Sequence, residues 1–142
     1  MDIIIGSDHA GYDLKEECKT FLQRSGENEV TDIGVFSRES FDYPKIAHTV
    51  AEKISKGNFR YGILICGTGL GMSIVANRYK GVRAALCYNL YTTRMSRLHN
   101  DANILVMGGR TIGVGIALEM AELFLKTRFE GGRHKKRLDL ID

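Results

Sequence analysis

Short runs of β-forming apolar residues alternate with amphipathic helical stretches along the whole chain, and few folds tolerate that alternation. Ile3, Ile4 and Ile5 make a first strand and Val30 to Ile33 a second, while Tyr61 to Cys66, Val82 to Cys87 and Asn103 to Met107 supply three more. Between them, Leu14, Cys18, Phe21 and Leu22 share one helical face. Ile46, Val50 and Ile54 recur every four residues, and Ile116, Met120, Leu123 and Phe124 repeat the pattern near the end. Strand–helix units in series connect parallel strands and lay helices on both faces of the sheet. The expected fold is therefore α/β: one domain over residues 1–142, a three-layer α/β/α sandwich around a five-stranded parallel sheet, Rossmann-like, ending in a basic tail over 128–142. The single proline, Pro44, is placed to open the second helix.

Composition narrows the function. At 142 residues the chain can bury a full core, and 44% hydrophobic with 26% charged residues is ordinary for a globular domain. A net charge of +3 is too small to imply nucleic-acid binding, and no apolar stretch approaches membrane-spanning length. Three cysteines without a C-x-x-C pair argue against a disulfide framework or a structural zinc site. The opening MDIIIGSDHAG has no basic leader, so a reducing cytoplasm is expected.

In open α/β sheets, ligands sit beyond the C-terminal ends of the strands where strand order reverses. The segment ILICGTGLGMSIVANR, 63–78, runs an apolar strand into such a position and ends it on Cys66, immediately before Gly67, Thr68, Gly69, Leu70 and Gly71. Glycines there let the backbone turn tightly with N–H groups free to face an anion, and a helix beginning near Leu70 adds its positive end. The spacing is not G-x-G-x-x-G, because the third glycine comes one residue early, and no Gly-Lys-Ser/Thr follows, so a small oxyanion is the expected guest. A cysteine at the lip of that nest is favoured as thiolate and reads as reactive, whereas Cys18 and Cys87 read as packing.

Asp8 and His9 follow the first strand, which should neighbour the third and so face the Cys66 loop. Asp8 can accept from a sugar hydroxyl or cap the first helix, and His9 can donate to a phosphate. His48 has no evident polar company and reads as surface or packing. His99 and Asn100, between the fourth helix and the fifth strand, are equally readable as helix capping. Arg133 and Arg137 are four apart and share a face if the tail is helical, enough for a phosphate clamp. Asp139 and Asp142 follow at once, without interleaved aromatics, which argues against a nucleic-acid patch.

Taken together, SDHAG, DYP, ILICGTGLGMSIVANR, RAALC, RLHNDANIL and EGGRHKKR resemble the ribose-5-phosphate isomerase B family, in that family's order, from Ile3 to about Ile141. That family also includes galactose-6-phosphate and allose-6-phosphate isomerases. The resemblance implies reversible conversion of ribose 5-phosphate to ribulose 5-phosphate through an enediolate, without metal or organic cofactor. It makes Cys66 the base that moves the proton between C1 and C2, and gives the Gly67–Gly71 backbone, with Leu70, the anion hole. It makes His99 the acid that opens the furanose ring, with Thr68 near the sugar oxygens. Asp8, Tyr43 and Asn100 would contact the sugar, and His9, Arg110, Arg133 and Arg137 the phosphate. Some members carry a glutamate where this chain has Met72, so Cys66 with Met72 places it in the cysteine class. The alternatives are an allose or galactose phosphate as substrate, or a phosphosugar-binding module without catalysis. A cysteine phosphatase is disfavoured because Met72 stands where its loop would want an arginine.

One consequence is geometric. His99 precedes the fifth strand and so lies at the N-terminal edge of a parallel sheet, while Cys66 leaves the opposite edge. Five residues at ~3.3 Å each separate those edges by roughly 16 Å, too far for an imidazole. If both serve one reaction, the protein is a homodimer or a dimer of dimers with sites shared between subunits, and neither membrane nor nucleic acid is a partner.

Overall fold

The computed structural model describes residues 1–141. Asp142 lies outside the described residues. Five strands and six helices follow in the order β1 (Asp2–Ser7), α1 (Tyr12–Arg24), β2 (Glu29–Asp32), α2 (Tyr43–Ser55), β3 (Tyr61–Cys66), α3 (Leu70–Ala76), β4 (Ala84–Leu86), α4 (Leu90–Leu98), β5 (Ile104–Gly108), α5 (Val114–Lys126) and α6 (Arg133–Leu138). All strands are parallel, in the spatial order β2-β1-β3-β5-β4, so the order reverses between β1 and β3 as expected. None of these helices is long and apolar enough to cross a membrane.

The unbroken apolar strands are explained by burial on both faces. Ile3, Ile5, Ile63, Ile65, Leu105 and Met107 point into one core with Leu14, Cys18 and Leu22 of α1 and Met120 and Phe124 of α5. Ile4, Leu64, Cys66, Ile104 and Val106 point the other way, into a core with Ile46, Val50 and Ile54 of α2 and Met72 and Ala76 of α3. Helix α4 packs on α5, which places it in the same layer as α1. Pro44 sits in the first turn of α2, where its missing N–H costs nothing.

Three expectations shift. β4 is shorter than residues 82–87, because it is an edge strand paired only to β5 and its ladder covers Ala84 to Leu86. The buried stripe of α5 runs through Ala117 and Ala121 rather than Ile116, which is 45% exposed, because the small residues face the sheet and its neighbouring helices. His48 does have polar company: its Nδ1 lies 2.7 Å from the Tyr79 hydroxyl.

A buried cation organises the sheet edge beside β1 and β2. The Lys15 side chain is fully buried, with Nζ 2.8 and 2.7 Å from the Asp32 carboxylate oxygens and 3.0 Å from Glu16. Lys19 adds a second contact to Asp32 at 2.9 Å. The Gly34 N–H donates to Asp32, and Gly34 and Val35 pair with the Ser7 backbone, so this cluster also anchors the loop leading to α2. Burial by itself would raise the Asp32 carboxyl, but hydrogen bonds from Lys15, Lys19 and the Gly34 N–H outweigh it and hold it below the usual carboxylate range. A depressed carboxyl stabilises the fold at neutral pH and loses that contribution as pH falls below its unfolded value of about 4 and through its folded one. Replacing Asp32 with Ala should lower stability in urea at pH 7 by about 3 kcal/mol, the low end for breaking a buried pair because Glu16 still faces Lys15. The gap between wild type and variant should narrow as the melts are repeated at pH values falling below 4.

Candidate active site

The loop after β3 is shaped by one residue. Gly69 has φ +84°, and a Cβ there would meet Leu86 Cδ1 at 2.5 Å, so only glycine fits between β3 and the start of α3. With the turn set this way, the Gly69 N–H donates to Cys66 Sγ at 3.1 Å, placing a donor against the sulfur. The Leu70 N–H is taken by Thr68 Oγ1 at 3.2 Å. Two of the N–H groups expected to be free for an anion are thus engaged inside the loop, a narrower nest than the glycines suggested. Met72 is fully buried in the α2/α3 core, where a carboxylate would have no partner among its apolar neighbours.

The loops after β1, β2 and β5 close around this one. Asp8 is buried, and its Oδ1 accepts from the Gly11 N–H at 3.0 Å, so it does cap the turn into α1 while leaving its other oxygen uncommitted by that bond. His9 Nδ1 accepts from the Phe41 N–H at 3.0 Å. That bond puts the proton of the neutral ring on Nε2, ready to donate. Asp8, His9 and Tyr43 line a single groove. Tyr43 lies directly over Gly71, where a Cβ would come within 2.4 Å of its ring, which ties the groove to the Cys66 loop. Gly109 and Arg110 donate backbone N–H groups to the Cys66 and Gly67 carbonyls at 2.8 and 3.0 Å, and the Arg110 side chain passes over Gly67. Asp8, His9, Tyr43, Cys66, Gly67, Thr68, Gly69, Leu70, Gly71 and Arg110 therefore gather at the C-terminal edge of the sheet.

The remaining candidates do not. His99 is the C-cap of α4, and its ring stacks on His134 of α6 with centroids 4.1 Å apart. Arg133 and Arg137 belong to α6 on either side of His134, and Asn100 follows His99, so these four residues cluster at the N-terminal edge. Register measures the separation: Cys66 pairs with Gly108 and Gly62 with Ile104, so the edges stand four residue steps apart, about 13 Å before the loops begin. None of Arg110, Arg133 and Arg137 has an ion-pair partner among the described residues. The residue missed from sequence is His134, which sits in plain view within EGGRHKKR but whose contact with His99 is tertiary.

All three thiols are buried, and what sets Cys66 apart is the Gly69 N–H against its sulfur. Cys18 is pushed up to about 12 by burial and by Glu17, and burial pushes Cys87 up as well. A thiol held that high stays protonated near pH 8, so Cys18 reacts slowly even when reached. Native protein treated with iodoacetamide should take up one equivalent, located at Cys66 by peptide mass mapping. Labelling at Cys18 or Cys87 at a comparable rate would contradict this assignment.

The sequence model of the Ribose/Galactose Isomerase family matches residues 3–141. The solved structure of Clostridium thermocellum ribose-5-phosphate isomerase B superposes with a TM-score of 0.97 at 52% identity, covering 99% of this chain and 95% of that one. Escherichia coli ribose-5-phosphate isomerase B is 43% identical over 139 residues, 98% of this chain and 93% of its own length. A 4-deoxy-4-sulfo-D-erythrose isomerase from Clostridium sp. is 48% identical over 142 residues, 99% of this chain and 89% of its own length. A family match over nearly the whole chain, carried by relatives this similar in sequence and backbone, shows that the chain belongs to the Ribose/Galactose Isomerase family.

Proposed function

We propose that the protein interconverts ribose 5-phosphate and ribulose 5-phosphate at sites completed by two subunits. A proton beside a carbonyl is weakly acidic, so its removal needs a base next to fixed donors that meet the developing enediolate charge. On this reading Cys66 takes the C2 proton of the open-chain aldose and returns it to C1, while a second proton passes between O1 and O2. No net oxidation occurs and no cofactor is required. Within the Gly67–Gly71 loop, the N–H groups not taken by Cys66 Sγ and Thr68 Oγ1 meet the enediolate oxygens, and Thr68, Asp8 and Tyr43 the sugar hydroxyls. His9 through Nε2 and Arg110 meet the phosphate from the same subunit.

The furanose form of ribose 5-phosphate has no carbonyl, so its ring must open first. His99 is the acid for that step, with Asn100 beside it, and Arg133 and Arg137 reach the phosphate from the partner subunit. A single observation carries the shared site: the Cys66 cluster and the His99 cluster lie at opposite edges of one sheet, each lacking what the other holds. Three unpaired cysteines fit a reducing cytoplasm as its setting. The relative named for a four-carbon sulfonated sugar makes chain length the open variable, and ribose 5-phosphate, allose 6-phosphate and 4-deoxy-4-sulfo-erythrose assayed side by side rank the substrates.

Cys66→Ala should fold and lose on the order of 10²–10⁴-fold in turnover, the usual contribution of a general base. Mixing inactive Cys66→Ala and His99→Ala chains by unfolding and refolding in equal amounts tests the shared site. About half the dimers are then mixed, each with one intact site, which restores about a quarter of wild-type activity. Recovery no greater than that of the separate mutants would place both groups in one subunit. Arg137→Ala should raise KM by about one to two decades with kcat little changed, as loss of a charge-assisted phosphate contact does. An equal effect on unphosphorylated ribose would move this arginine away from the phosphate.

A further inference from the structure

His99 ends a helix, is half-buried and is followed by the exposed Asn100. A side chain in that position keeps its rotamers free unless something packs against it. His134 does so. It is 4% exposed, its ring lies 4.1 Å from that of His99, and the two planes are 13° from parallel. The segment bearing it is itself tethered: the Glu130 N–H donates to the Leu98 carbonyl at 3.1 Å, and α6 buries only His134 and Leu138. The platform under His99 is thereby fixed to the end of the helix that carries His99.

Metal binding does not account for the pair. The ligand-type atoms of His99, Glu130 and His134 lie within 4.8 Å of one another. Nearly parallel imidazoles, however, aim their in-plane lone pairs side by side, and an ion at about 2.0–2.1 Å from both nitrogens cannot lie in both ring planes. Proton transfer by His134 is disfavoured too. Its Nε2 is buried 3.3 Å from Glu130 without hydrogen-bond alignment. Burial first, then His99 and Arg133, with a smaller share from Arg137, hold its pKa below the usual imidazole value despite the opposing pull of Glu130. A neutral ring can remain stacked when His99 gains a proton, without setting two cations face to face.

We propose that His134 is a positioning residue for ring opening: its stacked ring fixes the plane of His99, and hence the direction in which His99 presents a proton to the furanose ring oxygen. This rests on the reading of His99 as the ring-opening acid. The two can be separated because ribulose 5-phosphate, with O5 phosphorylated, cannot close to a furanose. Exchange of its C1 proton for solvent deuterium uses the Cys66 base alone and reports the proton-transfer half without any ring step.

In the full-length protein, His134→Ala should lower kcat on ribose 5-phosphate by on the order of 10- to 100-fold, the scale of a misplaced catalytic group, while KM and the C1 exchange rate change by less than about threefold. His134→Phe, which keeps a flat ring but no imidazole, should restore most of that turnover. His99→Ala is the reference and should show the same split; if it does not, the reading of His99 falls and the proposal with it. The proposal is overturned if His134→Ala leaves ribose 5-phosphate turnover intact, or if it lowers turnover and exchange equally. It is also overturned if His134→Phe exchanges normally yet turns over furanose no better than His134→Ala, since the imidazole itself would then be at work.

Discussion

The parallel ladder is the constraint from which the rest follows. Because all five strands point the same way, every loop after a strand collects at one edge and every loop before a strand at the other. The pairing of Cys66 with Gly108 and of Ser7 with Ile65 brings the ends of β1, β3 and β5 level, so their loops meet. That levelling is what lets Arg110 lie over Gly67 and Asp8 sit beside the Cys66 loop. The same ladder forbids His99 from joining them, whatever its rotamer.

Each edge is then held by one buried cation. At the C-terminal edge Lys15 binds Asp32, which in turn fixes Gly34 and the loop that carries Phe41 and Tyr43 to His9 and Gly71. At the N-terminal edge Arg97, 3% exposed, donates to Asp101, to the Ala102 and Thr127 carbonyls and to the Tyr61 hydroxyl. These bonds brace the turn from His99 into β5, including Asp101 at φ 44°. Removing a partner from a buried charge is costly, and that cost helps to pin both loops.

Most of the fold was legible because strands buried on both faces and helices with one apolar stripe leave distinct patterns in sequence. The cluster at the C-terminal edge was legible for the same reason: once strand order is known, loops that follow strands are neighbours, and Asp8, His9 and Cys66 follow strands. Other features have no local signature. Lys15 sits in a run of charged residues, KEECK, and nothing in that run distinguishes a fully buried ammonium from a solvated one. Leu70 looked like part of an open nest, yet its N–H is used by the Thr68 side chain two residues away. Ile116 fitted the helical period as well as Ala117 does, and only packing against neighbouring helices decides between them. His134 lay among arginines and lysines that imply an exposed tail.

The two clusters are opposed across the sheet as well as along it. Cys66 points into the core made with α2 and α3, and Tyr43 and Met72 belong to those helices. His99 instead terminates α4, which lies in the other layer with α1 and α5. The clusters therefore occupy diagonal corners of the molecule. A two-fold axis that brings one such corner of a subunit against the opposite corner of its copy necessarily does so twice, making two equivalent sites. Division of labour follows from that placement. Under the proposed mechanism, the corner with Cys66 carries the proton transfer that every open-chain substrate needs, and the corner with His99 and His134 the ring opening that only cyclic substrates need. Substrate range can thus change at one corner while the enolisation chemistry at the other stays intact.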